Sequence, residues 1–302
     1  MKVFVTGATG FIGSAVVKEL IANGHEVLGL TRSEKGAQQL VAAGAQAHFG
    51  DLDDIQSLRA GAALCDGVVH TAFNHDFSNF KASTENDRKV IEALGAEFRG
   101  SNRPLIVTSG IGILRSQGNL INENDRTSQS TNPRVASEEA CDAVAALGVR
   151  VAVVRLPPSV HDNGDHGFVP MLINIAREKS LAAYKDAGEN RWPAVHRLDA
   201  AKLFRLALEK NAAPGTRFHA VDDEGILFRD IATVIGKCLD VPVVSKTGEE
   251  ADAYFGWFAH FAALDCAASC EETKATLGWH PEHPGLLEDI DREGYFSSIF
   301  TK

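Results

Sequence analysis

Residues 1–20 read MKVFVTGATGFIGSAVVKEL, an apolar run broken by glycines at 7, 10 and 13. Val3, Phe4 and Val5 suit a buried strand. Gly7 and Gly10 let the backbone turn tightly beside a pyrophosphate, and Gly13 lets the following helix pack close to the strand. Ala15 to Leu20 continues as an amphipathic helix. Its free N–H groups and partial positive charge make an anion site that needs no basic side chain. Glycines also serve plain turns, but strand, triplet and helix in this order point to a dinucleotide.

Outward from this segment, strand and helix patterns alternate to about residue 155, as in a doubly wound parallel sheet with right-handed crossovers. Beyond that the order changes. Phe168 to Lys179, Leu198 to Lys210 and Phe228 to Leu239 read as helices, and Arg217 to Ala220 as a short strand. No internal repeat, low-complexity tract or clear linker separates the two parts.

The chain has 302 residues, 44% of them hydrophobic, enough for one large core or a large domain plus a smaller one. A formal charge of −10 with no basic run argues against nucleic acid or an anionic membrane as a partner. No stretch approaches the roughly 18 apolar residues of a membrane span. The N-terminal segment lacks a signal peptide's layout, so a cytoplasmic protein is expected. Five cysteines without a CxxC indicate neither a disulfide framework nor a zinc ribbon, and they read as reduced thiols packed like small hydrophobes. Cys266 and Cys270, four apart, are placed to share a helical face, although two thiols alone make no metal site.

The spacing TGATGFIG resembles the extended short-chain dehydrogenase/reductase family, which includes the nucleotide-sugar epimerases and dehydratases. Further segments continue the resemblance: Gly50-Asp51-Leu52 after a third strand, His70-Thr71-Ala72 after a fourth, Ser109-Gly110 after a fifth, Leu156-Pro157-Pro158-Ser159-Val160 after a sixth, and Leu277-Gly278-Trp279-His280-Pro281 near the end. The resemblance implies a Rossmann-type α/β fold. Residues 1–155 would bind the dinucleotide, and 156–302 would form a smaller substrate part interleaved with the sheet. It implies that Gly7, Thr9, Gly10, Phe11, Ile12 and Gly13 hold the pyrophosphate and that Asp51 and Leu52 meet the adenine. Thr71, Ala72, Ser109, Pro157, Ser159 and Val160 would lie along the cofactor toward the nicotinamide.

The family's catalytic Tyr-x-x-x-Lys is missing. The tyrosines are Tyr184, Tyr254 and Tyr295, and none has a lysine four residues on. The matching window, Pro133 to Glu139, puts Arg134 where the tyrosine belongs and Glu138 where the lysine belongs. The catalytic serine falls on Gly110 or, with a one-residue slip, on Ser109. Arg134 and Glu138 are spaced to pair on one helical face. Alternatively, Arg134 is placed to stabilise a developing alkoxide, though its guanidinium stays charged at any working pH.

Other constellations bear on cofactor and substrate. Thr31-Arg32-Ser33 follows the second strand, where an NAD-specific protein usually offers a carboxylate to the ribose 2′-OH. An arginine there suits a 2′-phosphate, so NADP is favoured and NAD stays possible. In Asn190 to Asp199, Arg191 is a candidate substrate contact, His196 a candidate proton carrier, and Asp199 suits a helix cap. His161 to His166 carries two histidines and two aspartates, but such Gly-Asp-Asn loops turn without a metal, and none is expected. His161 on its own, just past the nicotinamide segment, is a candidate acid or base. Tyr184 is a candidate acid or substrate contact, against the plain reading of a packed ring. The aromatic run Tyr254 to Phe261 reads as core or lid; exposed, it would suggest an oligomer contact.

Three functions compete. The first is an NADP-linked oxidoreductase acting on a small carbonyl or hydroxyl compound. The second is a dinucleotide-binding sensor with little catalysis, which the missing motif favours. The third, a nucleotide-sugar epimerase or dehydratase, has the fold on its side but not the acid.

Overall fold

The computed structural model describes residues 1–114, 119–127 and 130–300. β1 (Lys2–Thr6), α1 (Phe11–Ala22), β2 (Glu26–Thr31), α2 (Glu34–Ala42) and β3 (Gln46–Phe49) open the chain. α3 (Ile55–Ala63), β4 (Gly67–His70), α4 (Phe80–Phe98), β5 (Leu105–Gly110), α5 (Val135–Ala146) and β6 (Val151–Leu156) complete the alternating half. The seven-stranded sheet runs β3-β2-β1-β4-β5-β6 and ends on a strand from the later half, β10 (Thr216–His219). All its pairings are parallel.

The strands read as apolar runs because both faces of the sheet are covered. Alternation sends Val3 and Val5 to one face, under α1, and Phe4 to the other, against Leu58 of α3 and Val90 and Leu94 of α4. Strand order reverses between β1 and β4, and the crevice at such a switch point is where an open α/β sheet binds its ligand.

The later half holds more strands than its sequence pattern predicts. β7 (Ser159–His161), α6 (Phe168–Lys179), β8 (Ala182–Lys185), β9 (Arg191–His196), α7 (Arg197–Glu209) and β10 (Thr216–His219) come first. β11 (Asp223–Leu227), α8 (Phe228–Leu239) and β12 (Val243–Lys246) follow. α9 (Gly248–Phe255), α10 (Ala259–Ala262), α11 (Glu271–Leu277), α12 (Leu286–Asp291) and α13 (Glu293–Phe300) end the chain. β11-β9-β7 form one small sheet and β12-β8 another. These strands are three to six residues long, too short for a period to register.

The later half builds its own core around Trp192, Phe228 and Phe258, into which Tyr254 and Phe255 are packed. It also returns to the first half, through β10 beside β6 and through α7, whose Leu203 and Phe204 join the cluster of Val16, Val17 and Leu20 on α1. Cys266 and Cys270 are buried in that cluster on an irregular segment before α11, so the helical face expected for them does not form. Among the described residues, no helix is long and apolar enough to cross a membrane.

Candidate active site

The turn after β1 is built by contact. Gly7 has φ +67°, and a Cβ there would meet the Ala72 amide nitrogen and the Thr71 Oγ1, each at 2.8 Å. A Cβ on Gly13 would lie 2.0 Å from the Gly7 carbonyl oxygen, so α1 seats directly on the turn. Gly10 differs from the sequence expectation: its backbone is extended (φ −78°), and a Cβ would meet only the Gly7 oxygen, at 3.2 Å. Gly10 is therefore not required for the turn itself. It is the N-cap of α1 and makes no side-chain cap, which leaves the first N–H groups of the helix for an anion. These features fit a dinucleotide pyrophosphate.

Behind the turn runs a buried polar chain. Thr71 Oγ1 donates to the Thr6 carbonyl at 2.7 Å, and the Ala72 N–H donates to Thr6 Oγ1 at 3.3 Å. Thr6 Oγ1 and His70 Nδ1 are 2.6 Å apart, and His70 Nε2 is 2.9 Å from Asp87 Oδ1. The carboxylate only accepts, so Nε2 carries the hydrogen and Nδ1 accepts from the threonine. Asp87 Oδ2 in turn takes Arg134 Nη1 at 2.7 Å and Ser137 Oγ at 2.5 Å. Burial opposes the charge on Asp87, but Arg134, His70 and Ser137 outweigh it and hold the carboxyl at about 2. Arg134 also donates from Nη2 to the Thr108 carbonyl at 3.1 Å, and its guanidinium carbon lies 3.6 Å from the centre of the Phe73 ring.

Arg134 and Glu138 do not pair, although their spacing permits it. Glu138 turns the other way, accepting from Arg155 Nε and Nη2, both at 2.8 Å, and from Ser109 Oγ at 2.9 Å. Burial opposes its charge, and the Arg155 contacts dominate, so its carboxyl sits below the ordinary range. Arg155 also meets His219 Nε2 at 3.2 Å, and burial together with that guanidinium pushes His219 down to about 4. Ser109, the candidate catalytic serine, has its hydroxyl buried and donating to Glu138.

At the second strand's end, Thr31 is buried, Ser33 caps α2 by accepting from the Gly36 N–H at 3.1 Å, and Arg32 is exposed. Asp51 spends Oδ1 on the amides of Asp53 and Asp54, while Leu52 leans on the core. Pro157 leads into β7, where the Ser159 Oγ is buried without a hydrogen-bond partner among the described residues and Val160 packs against the main cluster.

Several expected site residues are committed elsewhere. His161, expected as an acid or base, is fully buried with Nδ1 2.7 Å from Asp289 Oδ2. Burial pushes it down to about 4, and Arg292, ion-paired to Asp289, supplies the carboxylate's countercharge. His196 caps α7 through Nδ1, which accepts from the Leu198 N–H at 3.2 Å. Burial, with His161 and His283 adding to it, pushes His196 to about 4 against the pull of Asp162. Burial thus favours the neutral form of both rings. Asp199 does not cap its own helix. It accepts instead from the Glu282 and His283 amides, at 3.0 and 3.1 Å. Arg191, expected to reach substrate, grips Asp265 with Nε and Nη2, each at 3.1 Å. Tyr184 packs on the apolar cluster of the later half.

His196, Asp199 and His283 cluster closely enough to be considered for a metal. The two imidazoles are stacked at 4.6 Å with planes only 8° apart, so their in-plane lone pairs cannot converge on one ion. In the loop from His161 to His166, Asp162 pairs with Arg197, and Asp165 accepts from Tyr295 and Gly167.

Sequence reading missed Asp87, Ser137, Arg155 and Arg197. Two of them left a signal: Asp87 interrupts the buried stripe Ser83, Thr84, Val90, Ile91, Leu94 of α4, and Arg155 interrupts the apolar strand VAVVRL.

The profile of the NAD dependent epimerase/dehydratase family matches residues 3–94. An uncharacterized protein of Schizosaccharomyces pombe is 49% identical over 296 residues, 98% of this chain and 100% of that protein. The sterol-4-alpha-carboxylate 3-dehydrogenase, decarboxylating, of Dictyostelium discoideum is 28% identical over 77% of this chain and 74% of that protein. A crystal structure of a dTDP-glucose 4,6-dehydratase double mutant from Streptomyces venezuelae, with NAD and DAU bound, is similar in fold. It has a TM-score of 0.76 and 19% identity, covering 97% of this chain and 96% of that one. With a glycine turn, sheet order and family profile that agree, the chain belongs to the NAD dependent epimerase/dehydratase family.

Proposed function

We propose that the protein is an NAD(P)-dependent oxidoreductase that reduces a small carbonyl compound or oxidises the corresponding alcohol, with NADP(H) preferred. The observation that carries this reading is the chain Thr6–His70–Asp87–Arg134, which ties the glycine turn to a fixed guanidinium at the position of the missing tyrosine. The Dictyostelium relative's name, a 3-dehydrogenase, is consistent with it.

A nicotinamide dinucleotide bound at the switch point supplies or accepts the hydride. The backbone from Gly7 through Thr9, Gly10, Phe11 and Ile12 to Gly13 holds the pyrophosphate, Arg32 meets the 2′-phosphate, and Asp51 and Leu52 border the adenine. Thr71, Ala72, Pro157, Ser159 and Val160 border the nicotinamide end. Arg134 keeps its protons at any working pH, so it stabilises an alkoxide rather than donating to it. Asp87 fixes the guanidinium's position. The proton comes from water in the cleft. No epimerase or dehydratase turnover by a tyrosinate mechanism is expected.

A second reading, a dinucleotide sensor, has one observation in its favour: Ser109, Arg134 and Arg191 all have internal partners. Single-turnover assays with NADPH and a panel of aldehydes and ketones separate the two. Hydride transfer that slows on Arg134→Ala with the best substrate supports the oxidoreductase. If no carbonyl compound oxidises NADPH, the sensor reading replaces it.

A further inference from the structure

Arg197 opens α7 and reaches across to the glycine turn. Its guanidinium carbon lies 4.6 Å from the centre of the Phe11 ring, and Phe11 is the first residue of the uncapped helix α1. Asp162 holds one edge of the guanidinium, with Nη2 to Oδ2 at 2.9 Å. Nε is buried and makes no hydrogen bond among the described residues. A buried N–H left unpaired costs free energy, so the geometry is incomplete as it stands.

The placement is rigid. Leu203, Phe204 and Ala207 of α7 pack in one cluster with Val16, Val17 and Leu20 of α1. Arg205 Nε is 2.7 Å from Glu19 Oε1, a second tie between the same helices. A cation from the later half of the chain is thus fixed beside the anion site made by the first half.

We propose that Arg197 is a ligand of the dinucleotide's pyrophosphate, completing from α7 the site that the backbone N–H groups of the glycine turn begin. A guanidinium offers several N–H groups in one plane, which suits adjacent phosphate oxygens better than a single ammonium would. Asp162 is the positioning residue: it holds the guanidinium near Phe11 and competes with the phosphate for it. The inference rests on the glycine turn being the dinucleotide site and not on carbonyl reduction, so it stands or falls by binding alone.

The test is calorimetric titration of the full chain with NADPH, with NADH, and with adenosine 2′-monophosphate, which lacks the pyrophosphate. Arg197→Met should weaken NADPH and NADH by the same factor, about tenfold to 100-fold, and leave adenosine 2′-monophosphate unchanged. Arg197→Lys should recover part of the loss. Asp162→Asn should bind both dinucleotides more tightly than the unaltered chain, since it removes the competitor for the guanidinium; unchanged or weaker binding overturns the proposal, and this arm decides if Arg197→Met fails to fold. Unchanged dinucleotide affinity in Arg197→Met overturns the proposal. So does a defect confined to the KM of the carbonyl substrate, which would give Arg197 to the substrate. If the unaltered chain binds no dinucleotide, this inference and the cofactor site fail together; absence of carbonyl turnover with binding intact removes only the proposed activity.

Discussion

Arg134 Nη1 meets Asp87 Oδ2 at 2.7 Å, with the arginine side chain 12% exposed and the aspartate 2%. The pair ties the start of α5 to α4. Losing one member of a buried pair leaves the other charge uncompensated, at about 3–5 kcal/mol. Asp87→Asn should lower the unfolding free energy from urea titration by that order, and the double variant Asp87→Leu/Arg134→Met should recover most of the loss. Equal midpoints for Asp87→Asn and the unaltered protein would show that the pair contributes nothing.

Arg32 is exposed beside the capped start of α2, with Ser33 as the cap. A charge-assisted contact is worth roughly 1.5–3 kcal/mol, so Arg32→Ala should weaken NADPH about 10-fold to 150-fold and leave NADH nearly unchanged. Titrations of both cofactors check it; equal losses would mean that Arg32 does not read the 2′-phosphate.

Gly10 and Gly13 should fail differently. A Cβ on Gly13 meets the Gly7 oxygen at 2.0 Å, so Gly13→Ala should destabilise the fold by about 1–3 kcal/mol or more. A Cβ on Gly10 meets only that oxygen, at 3.2 Å, so Gly10→Val should melt near the unaltered protein yet lose dinucleotide binding, because its branched side chain takes the ligand's space. Thermal melts paired with calorimetry distinguish them, and wild-type affinity in Gly10→Val would sink the site.

His161, His196 and His219 are each held near 4, against an ordinary value of 6.5. The folded state resists their protonation, so the unfolded chain binds more protons below 6.5. Their contribution is complete above pH 6.5 and is lost as pH falls toward 4, at up to roughly 1.4 kcal/mol per histidine per unit. Asp87, held at about 2, has the depressed carboxylate's sign, and its contribution is lost only below about pH 4. Urea midpoints should therefore fall between pH 6.5 and 4.5, ahead of the carboxylate range. A midpoint flat down to pH 5 would contradict the buried neutral histidines.

The first strand, glycine turn and helix were legible in residues 1–20 because each depends on neighbours within a few positions: an apolar run, a positive φ at Gly7, a close approach at Gly13. Alternation to residue 155 made the sheet legible too, since strands covered on both faces must be apolar along their length. The charge partners were not legible. Arg134 and Glu138 stand four apart, and local spacing favours pairing them. Packing instead brings Asp87 from α4 to one and Arg155 from β6 to the other, in a core where every charge needs a close opposite. Likewise, the sequence offers His196 as a candidate proton carrier and marks Arg197 only as its polar neighbour. The rings of His161 and His283 pack on the first, while docking α7 on α1 sets the second beside Phe11, a relation that exists only once two helices far apart in the chain share one apolar face.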